Sequence, residues 1–139
     1  MIHLINMHQL ALHALHVALM KGEYKQYLWI DSTTLPVCKN QRIQRHKSLV
    51  QIASRGRSSM GWFYGFKLHL VCNDHGELLW VGLTPGNTDD RVALRDCFDH
   101  DLFSLFGKLF ADRGYISQPL VTELITEHQV ALHTRLRKN

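Results

Sequence analysis

Tyr27-Leu28-Trp29-Ile30-Asp31-Ser32-Thr33-Thr34 and Lys108-Leu109-Phe110-Ala111-Asp112-Arg113-Gly114-Tyr115 carry the same pattern at two distant places in the chain. Each is a short apolar run rich in β-formers that delivers one aspartate at or near its end. If the two runs are parallel neighbours in one sheet, Asp31 and Asp112 emerge side by side. Two like charges about 4 Å apart repel by about 4 kcal/mol at an effective dielectric of about 20, a conflict that a cation between them resolves. Hard oxygen ligands suit magnesium or manganese, and a metal pair can position both the attacking and the leaving oxygen of a phosphodiester. Taken singly, either aspartate has a plainer reading as a turn cap or the partner of a basic neighbour.

Working outward, Pro36 to Gly61 is polar and reads as a long loop, a length that is uncommon unless the loop is functional or mobile. Strands follow at Phe66 to Asn73 and Leu78 to Thr84, joined by Asp74-His75-Gly76-Glu77, whose aspartate and glycine supply turn chemistry. Thr84-Pro85-Gly86-Asn87 breaks the second of these, and Thr88 is the expected N-cap of a helix running to about Phe98. Behind Asp112, Ser117 and Pro119 open another helix through about His128, and Val130 to Arg135 reads as a last strand. At the other end, Met1 to Lys21 reads as a helix ended by Gly22, apolar on most faces as if built to pack on two sides. Three leading strands in a meander and two later ones entered through helices describe an α/β fold with a mixed sheet flanked by helices.

Between Asp31 and Asp74 there is no acidic residue, yet Lys39, Arg42, Arg45, Lys47, Arg55, Arg57 and Lys67 are all basic. Trp62, Phe63, Tyr64 and Phe66 interleave with them, an arrangement suited to phosphates and exposed bases. The topology puts this segment on the rim where Asp31 emerges. Its plainer reading is a solvated basic loop with the aromatics as core. Asp89 and Asp90 fall on the same rim, where the dipole of the following helix accounts for them. His13 and His16 are spaced to share a metal but lack a third ligand in register.

The whole chain has 139 residues, 45% hydrophobic and 20% charged, with a formal net charge of +4. That length fits one domain or part of one, the composition excludes intrinsic disorder, and the charge permits an anionic partner. No apolar run reaches the roughly 18 residues of a spanning helix, and no signal-peptide pattern leads the chain, so a soluble cytoplasmic protein is expected. Cys38, Cys72 and Cys97 fit neither a disulfide framework nor a zinc site.

Trp29-Ile30-Asp31-Ser32-Thr33, Gly61-Trp62-Phe63-Tyr64-Gly65-Phe66-Lys67-Leu68-His69, Thr84-Pro85-Gly86-Asn87 with Asp89-Asp90-Arg91, and Ala111-Asp112-Arg113-Gly114-Tyr115 together resemble the DDE transposases of bacterial insertion sequences, most closely the group numbered nine-eight-two. The resemblance runs from about Leu28 to the end. It implies a ribonuclease-H-like catalytic domain over 27–139, with 1–26 as the remnant of an upstream helical region. It also implies catalytic and metal-binding roles for Asp31 and Asp112, two Mg2+ or Mn2+ ions in the complete enzyme, and DNA cleavage with strand transfer. The implied partners are insertion-sequence ends and target DNA in the bacterial nucleoid, met by a homodimer or larger assembly. Arg113, Gly114 and Tyr115 match the signature behind the second aspartate, and Arg113 joins the basic residues as a DNA-binding candidate. The family's third acid, a glutamate, lies on a helix after the last strand, and Glu123 and Glu127 come too early to be it. The expectation is therefore a catalytic domain incomplete at its C-terminus with little activity alone. The alternative is a non-catalytic nucleic-acid-binding remnant that uses the basic segment 39–67.

Overall fold

The computed structural model describes residues 27–99 and 107–134. The expected helix over Met1 to Lys21, with His13 and His16, lies outside the described residues, as does everything beyond Thr134. Among the described residues no helix is long and apolar enough to cross a membrane.

One mixed sheet organises the chain. Strand β1 (Tyr27–Cys38) alternates buried Leu28 and Ile30 with exposed Trp29 and Asp31, the period-two pattern of a strand with one face on a core. It pairs antiparallel with β3 (Gly61–Asn73), from Leu28 opposite Asn73 to Leu35 opposite Phe66. Its other edge pairs in parallel with β5 (Gly107–Ala111), from Tyr27 opposite Lys108 to Ile30 opposite Ala111. Strand β6 (Val130–Thr134) continues the sheet parallel to β5. The free edge of β3 is shared end to end: β2 (Ser54–Ser58) pairs with Gly61–Gly65, and β4 (Leu78–Pro85) with Phe66–Cys72.

Helices α1 (Asp90–Asp99) and α2 (Gln118–His128) supply Ala93, Leu94, Cys97, Phe98, Leu120 and Leu124 to a core shared with Leu28, Ile30, Val71, Leu79, Leu109 and Val130 of the sheet. Ser117 caps α2 as its sequence suggests, accepting the Leu120 amide at 3.2 Å. Cys97 is buried, Cys38 and Cys72 are half-buried, and all three are free thiols.

Three expectations are corrected. The polar stretch Pro36 to Gly61 is not one loop: β1 runs on to Cys38, a 3-10 turn covers Asn40–Arg45, and Ser54–Ser58 is a sixth strand inside the expected meander. Its sequence, Ser-Arg-Gly-Arg-Ser, has no β-former. Pairing with β3 makes it a strand, together with a close approach only glycine allows, since a Cβ on Gly56 would stand 2.0 Å from the Gly86 carbonyl oxygen. The cap of α1 is Asp89, not Thr88, because Asp89 Oδ1 accepts the Arg91 amide at 2.9 Å. Finally, the hairpin after β3 takes Gly76 at φ +76° as expected, but Asn73 and not Asp74 holds it, its side-chain carbonyl accepting the amides of His75 and Glu77 at 3.0 and 2.9 Å.

Candidate active site

Pairing between β1 and β5 stops at Ile30 opposite Ala111, both buried. Asp31 and Asp112 are the next residues on these two parallel strands, and both are exposed. Alternation turns both away from the core side of Ile30 and Ala111. Asp112 follows the last residue of β5 as expected. Asp31 does not end its strand: it is the point where β1 outruns β5, and β1 continues to Cys38.

Each carboxylate accepts the amide that follows it: Asp31 Oδ1 from Ser32 at 2.8 Å, Asp112 Oδ1 from Arg113 at 2.7 Å. Like charges on adjacent strands disfavour each other, a conflict that a cation between them would relieve. Among the described residues no cluster of three or more His, Cys, Asp or Glu that could hold a metal is formed. The donor set on hand is these two hard oxygen ligands.

Beneath the pair lies a polar chain that sequence reading did not single out. The turn Arg113–Tyr115 carries the Tyr115 ring into the core, 1% exposed. Its hydroxyl meets His69 Nδ1 at 3.1 Å and the Ser32 side chain, while His69 Nε2 meets Thr84 Oγ1 at 2.9 Å. The turn after β5 is thereby bonded to β1, β3 and β4. Burial pushes the Tyr115 hydroxyl up, and the nearby charges of Asp90, Asp31 and Asp112 push the same way, so it stays protonated. Burial also lowers His69, against the opposing pull of Asp90. The two ring nitrogens and their partners form a satisfied buried network.

Asp90, the first residue of α1, stands beside the same turn. Its Oδ1 is ion-paired with Lys67 Nζ at 2.9 Å, and Lys67 also donates to the Thr88 carbonyl at 2.8 Å. A Cβ on Gly114 would come within 2.8 Å of Asp90 Oδ2. The residues after Asp112 thus have separate structural reasons: Gly114 admits Asp90, and Tyr115 anchors the turn.

From Gly114 a groove of about 450 Å³ runs past Lys67 and Thr88 to Arg55, Arg57 and Trp62. Three of the sequence-nominated cations therefore share one cavity. Lys39, Arg42, Arg45 and Lys47 belong to the segment after β1, which begins eight residues beyond Asp31, and none of them lines this groove. Lys47 lines a second, mostly apolar cavity against Tyr64. Arg113 is exposed on the turn behind Asp112. Asp89 is held to about 2 by its bond with Arg91. Glu123 is bonded to Arg95 at 3.0 Å on the exposed side of α2, away from the carboxylate pair in the sequence of elements.

A family model described as a transposase DDE domain matches residues 21–139. No curated protein matches the chain. Among solved structures, the chain is similar to piggyBac transposase as seen in its cryo-EM synaptic complex with hairpin DNA, with a TM-score of 0.54 and 14% identity over 84% of this chain. The likeness is one of fold, and the chain spans 24% of that protein's length. With 119 of its 139 residues inside the matched family, the chain belongs to the transposase DDE domain family.

Proposed function

We propose that this chain contributes the carboxylate pair of a metal-dependent DNA transposase that cleaves strand ends and joins them to target DNA. The observation that carries the reading is the placement of Asp31 and Asp112 just past the last paired residues of neighbouring parallel strands, both exposed. Two hard oxygen donors of this kind fit Mg2+ or Mn2+. Bound there, such ions lower the pKa of an attacking oxygen and stabilise charge on the leaving one. The chain's own part is to hold the carboxylates in register, with Tyr115 and His69 fixing the Asp112 turn against β1 and β3. Arg55 and Arg57 attract phosphate along the groove, where Lys67 is paired with Asp90.

The sheet path β2-β3-β1-β5-β6, with β4 also paired to β3, places antiparallel strands on one side of β1 and parallel strands on the other and supports a ribonuclease-H-like catalytic domain over 27–139. The motifs quoted above support the bacterial nine-eight-two group, with the insertion-sequence ends as substrate and a dimer or larger assembly in the nucleoid. That the similar piggyBac structure holds hairpin DNA supports DNA as the partner. Glu123, engaged with Arg95, is not offered as the third acid.

The test is nicking of supercoiled plasmid in Mn2+ by the full chain. Slow nicking that EDTA, Asp31→Asn or Asp112→Asn abolishes agrees with the reading, and nicking that survives both substitutions contradicts it. The absence of a three-ligand cluster among the described residues favours one other reading, a DNA binder without chemistry. Such a protein keeps its salt-dependent affinity in EDTA and never nicks.

A further inference from the structure

Trp62 is 60% exposed, although the next two residues of β3, Phe63 and Tyr64, are buried. A large aromatic left in solvent stands out more when its backbone is well held. On one edge Trp62 pairs with Arg57 of β2; on the other, where β1 has ceased to pair, Asn40 Nδ2 donates to the Trp62 carbonyl at 2.7 Å. Opposite residues of an antiparallel pair share a face. The Arg57 guanidinium accordingly lies over the indole, 5.9 Å from its centroid. Arg57 covers part of the ring, and the exposure leaves surface for a second flat group.

The charges beside it have the sign that attracts phosphate. Of the acids in the groove, Asp89 is bonded to Arg91 and Asp90 to Lys67. Arg55 and Arg57 have no carboxylate partner among the described residues. The groove wall that carries Trp62 is thus an indole flanked by two uncompensated guanidinium groups. Gly114, two residues from Asp112, lines the same groove.

We propose that Trp62 and Arg57 form a stacking platform for an unpaired base of DNA, on the strand that leads to Asp31 and Asp112. The inference rests on the transposase reading for its DNA and adds a single-stranded subsite to it. An indole offers a base a π-face whatever its sequence, but only where the base is not already stacked inside a duplex. The reach is short: Trp62 stands eight residues along β3 from Leu70, the partner of Asp31, which is at most about 26 Å at about 3.3 Å per residue. The stacked base therefore falls within about eight nucleotides of the carboxylate pair at about 3.4 Å per nucleotide.

The experiment uses the full chain in EDTA, with a fluorescently labelled oligothymidylate of twelve nucleotides and a blunt duplex of matching length. Trp62→Ala should weaken the single strand about tenfold and the duplex by less than about twofold, the loss of one stacked base. Trp62→Phe should keep most of the single-strand affinity. Binding of the single strand should quench tryptophan emission in the native chain but not in Trp62→Phe, which retains Trp29 and Trp80. Equal effects of Trp62→Ala on both probes, no effect on either, or no single-strand binding by the native chain would overturn the platform. Manganese-dependent nicking, read separately, tests the transposase reading: nicking with no platform overturns only the platform, and a platform without nicking overturns only the chemistry.

Discussion

Tyr115→Phe removes one oxygen and leaves the ring in place, which makes it the sharpest probe of the network beneath the carboxylates. His69 Nδ1 loses its partner at 3.1 Å, Ser32 loses another, and both nitrogens of the buried His69 ring were satisfied before the change. Leaving a buried polar atom unpaired costs about 1–3 kcal/mol. At about 2 cal/mol/K per residue of unfolding entropy, a chain this size loses about 3 °C in Tm per kcal/mol, so the variant should melt about 3–10 °C lower. Thermal unfolding followed by circular dichroism measures this directly. His69→Phe should cost a similar amount, and the double variant should cost less than the sum, because each single change strands the other residue's polar atom and the double change removes both. A Tm within about 1 °C of the native chain, or strict additivity, would refute the claim that this bond fixes the turn behind Asp112.

Other outcomes follow from the same geometry. Gly56→Ala places a Cβ 2.0 Å from a backbone oxygen, which a rotamer change cannot relieve. It should cost about 1–3 kcal/mol or more as overpacking and weaken binding to DNA by moving β2 off the β4–α1 loop, with an unchanged Tm counting against the close approach. His69 is lowered by burial, so the unfolded chain takes up protons first as pH falls below about 6.5. Stability should therefore be full above that value and fall by up to about 1.4 kcal/mol per pH unit below it. Denaturant titrations at pH 7.5 and 5.5 should show a smaller loss in His69→Gln, and an equal loss would assign the acid sensitivity elsewhere.

How much of this was legible in the sequence depends on the range over which each feature is caused. The apolar alternation of Leu28 and Ile30 and the short run ending at Ala111 reveal β1 and β5, because burial on one face writes itself into neighbouring residues. The two aspartates are legible for the same reason: both follow the last buried position of their pairing. Ser54–Ser58 carries no such signal, since its strand is imposed by β3 and by the contact of Gly56 with Gly86. Tyr115 and His69 are 46 residues apart, and only the fold shows that a ring on a turn reaches a strand on the other side of β1. The basic segment reads as one unit in sequence, yet the chain sends Arg55, Arg57 and Lys67 into the groove and leaves Lys39, Arg42, Arg45 and Lys47 out of it.

The central claim is that Asp31 and Asp112 act together on a divalent cation. A titration of the full chain with Mn2+, followed by the loss of the free ion's electron paramagnetic resonance signal, measures that directly. The account predicts saturable binding that Asp31→Asn and Asp112→Asn each abolish, with the double variant no worse than either. Binding that persists unchanged in both single variants would contradict it.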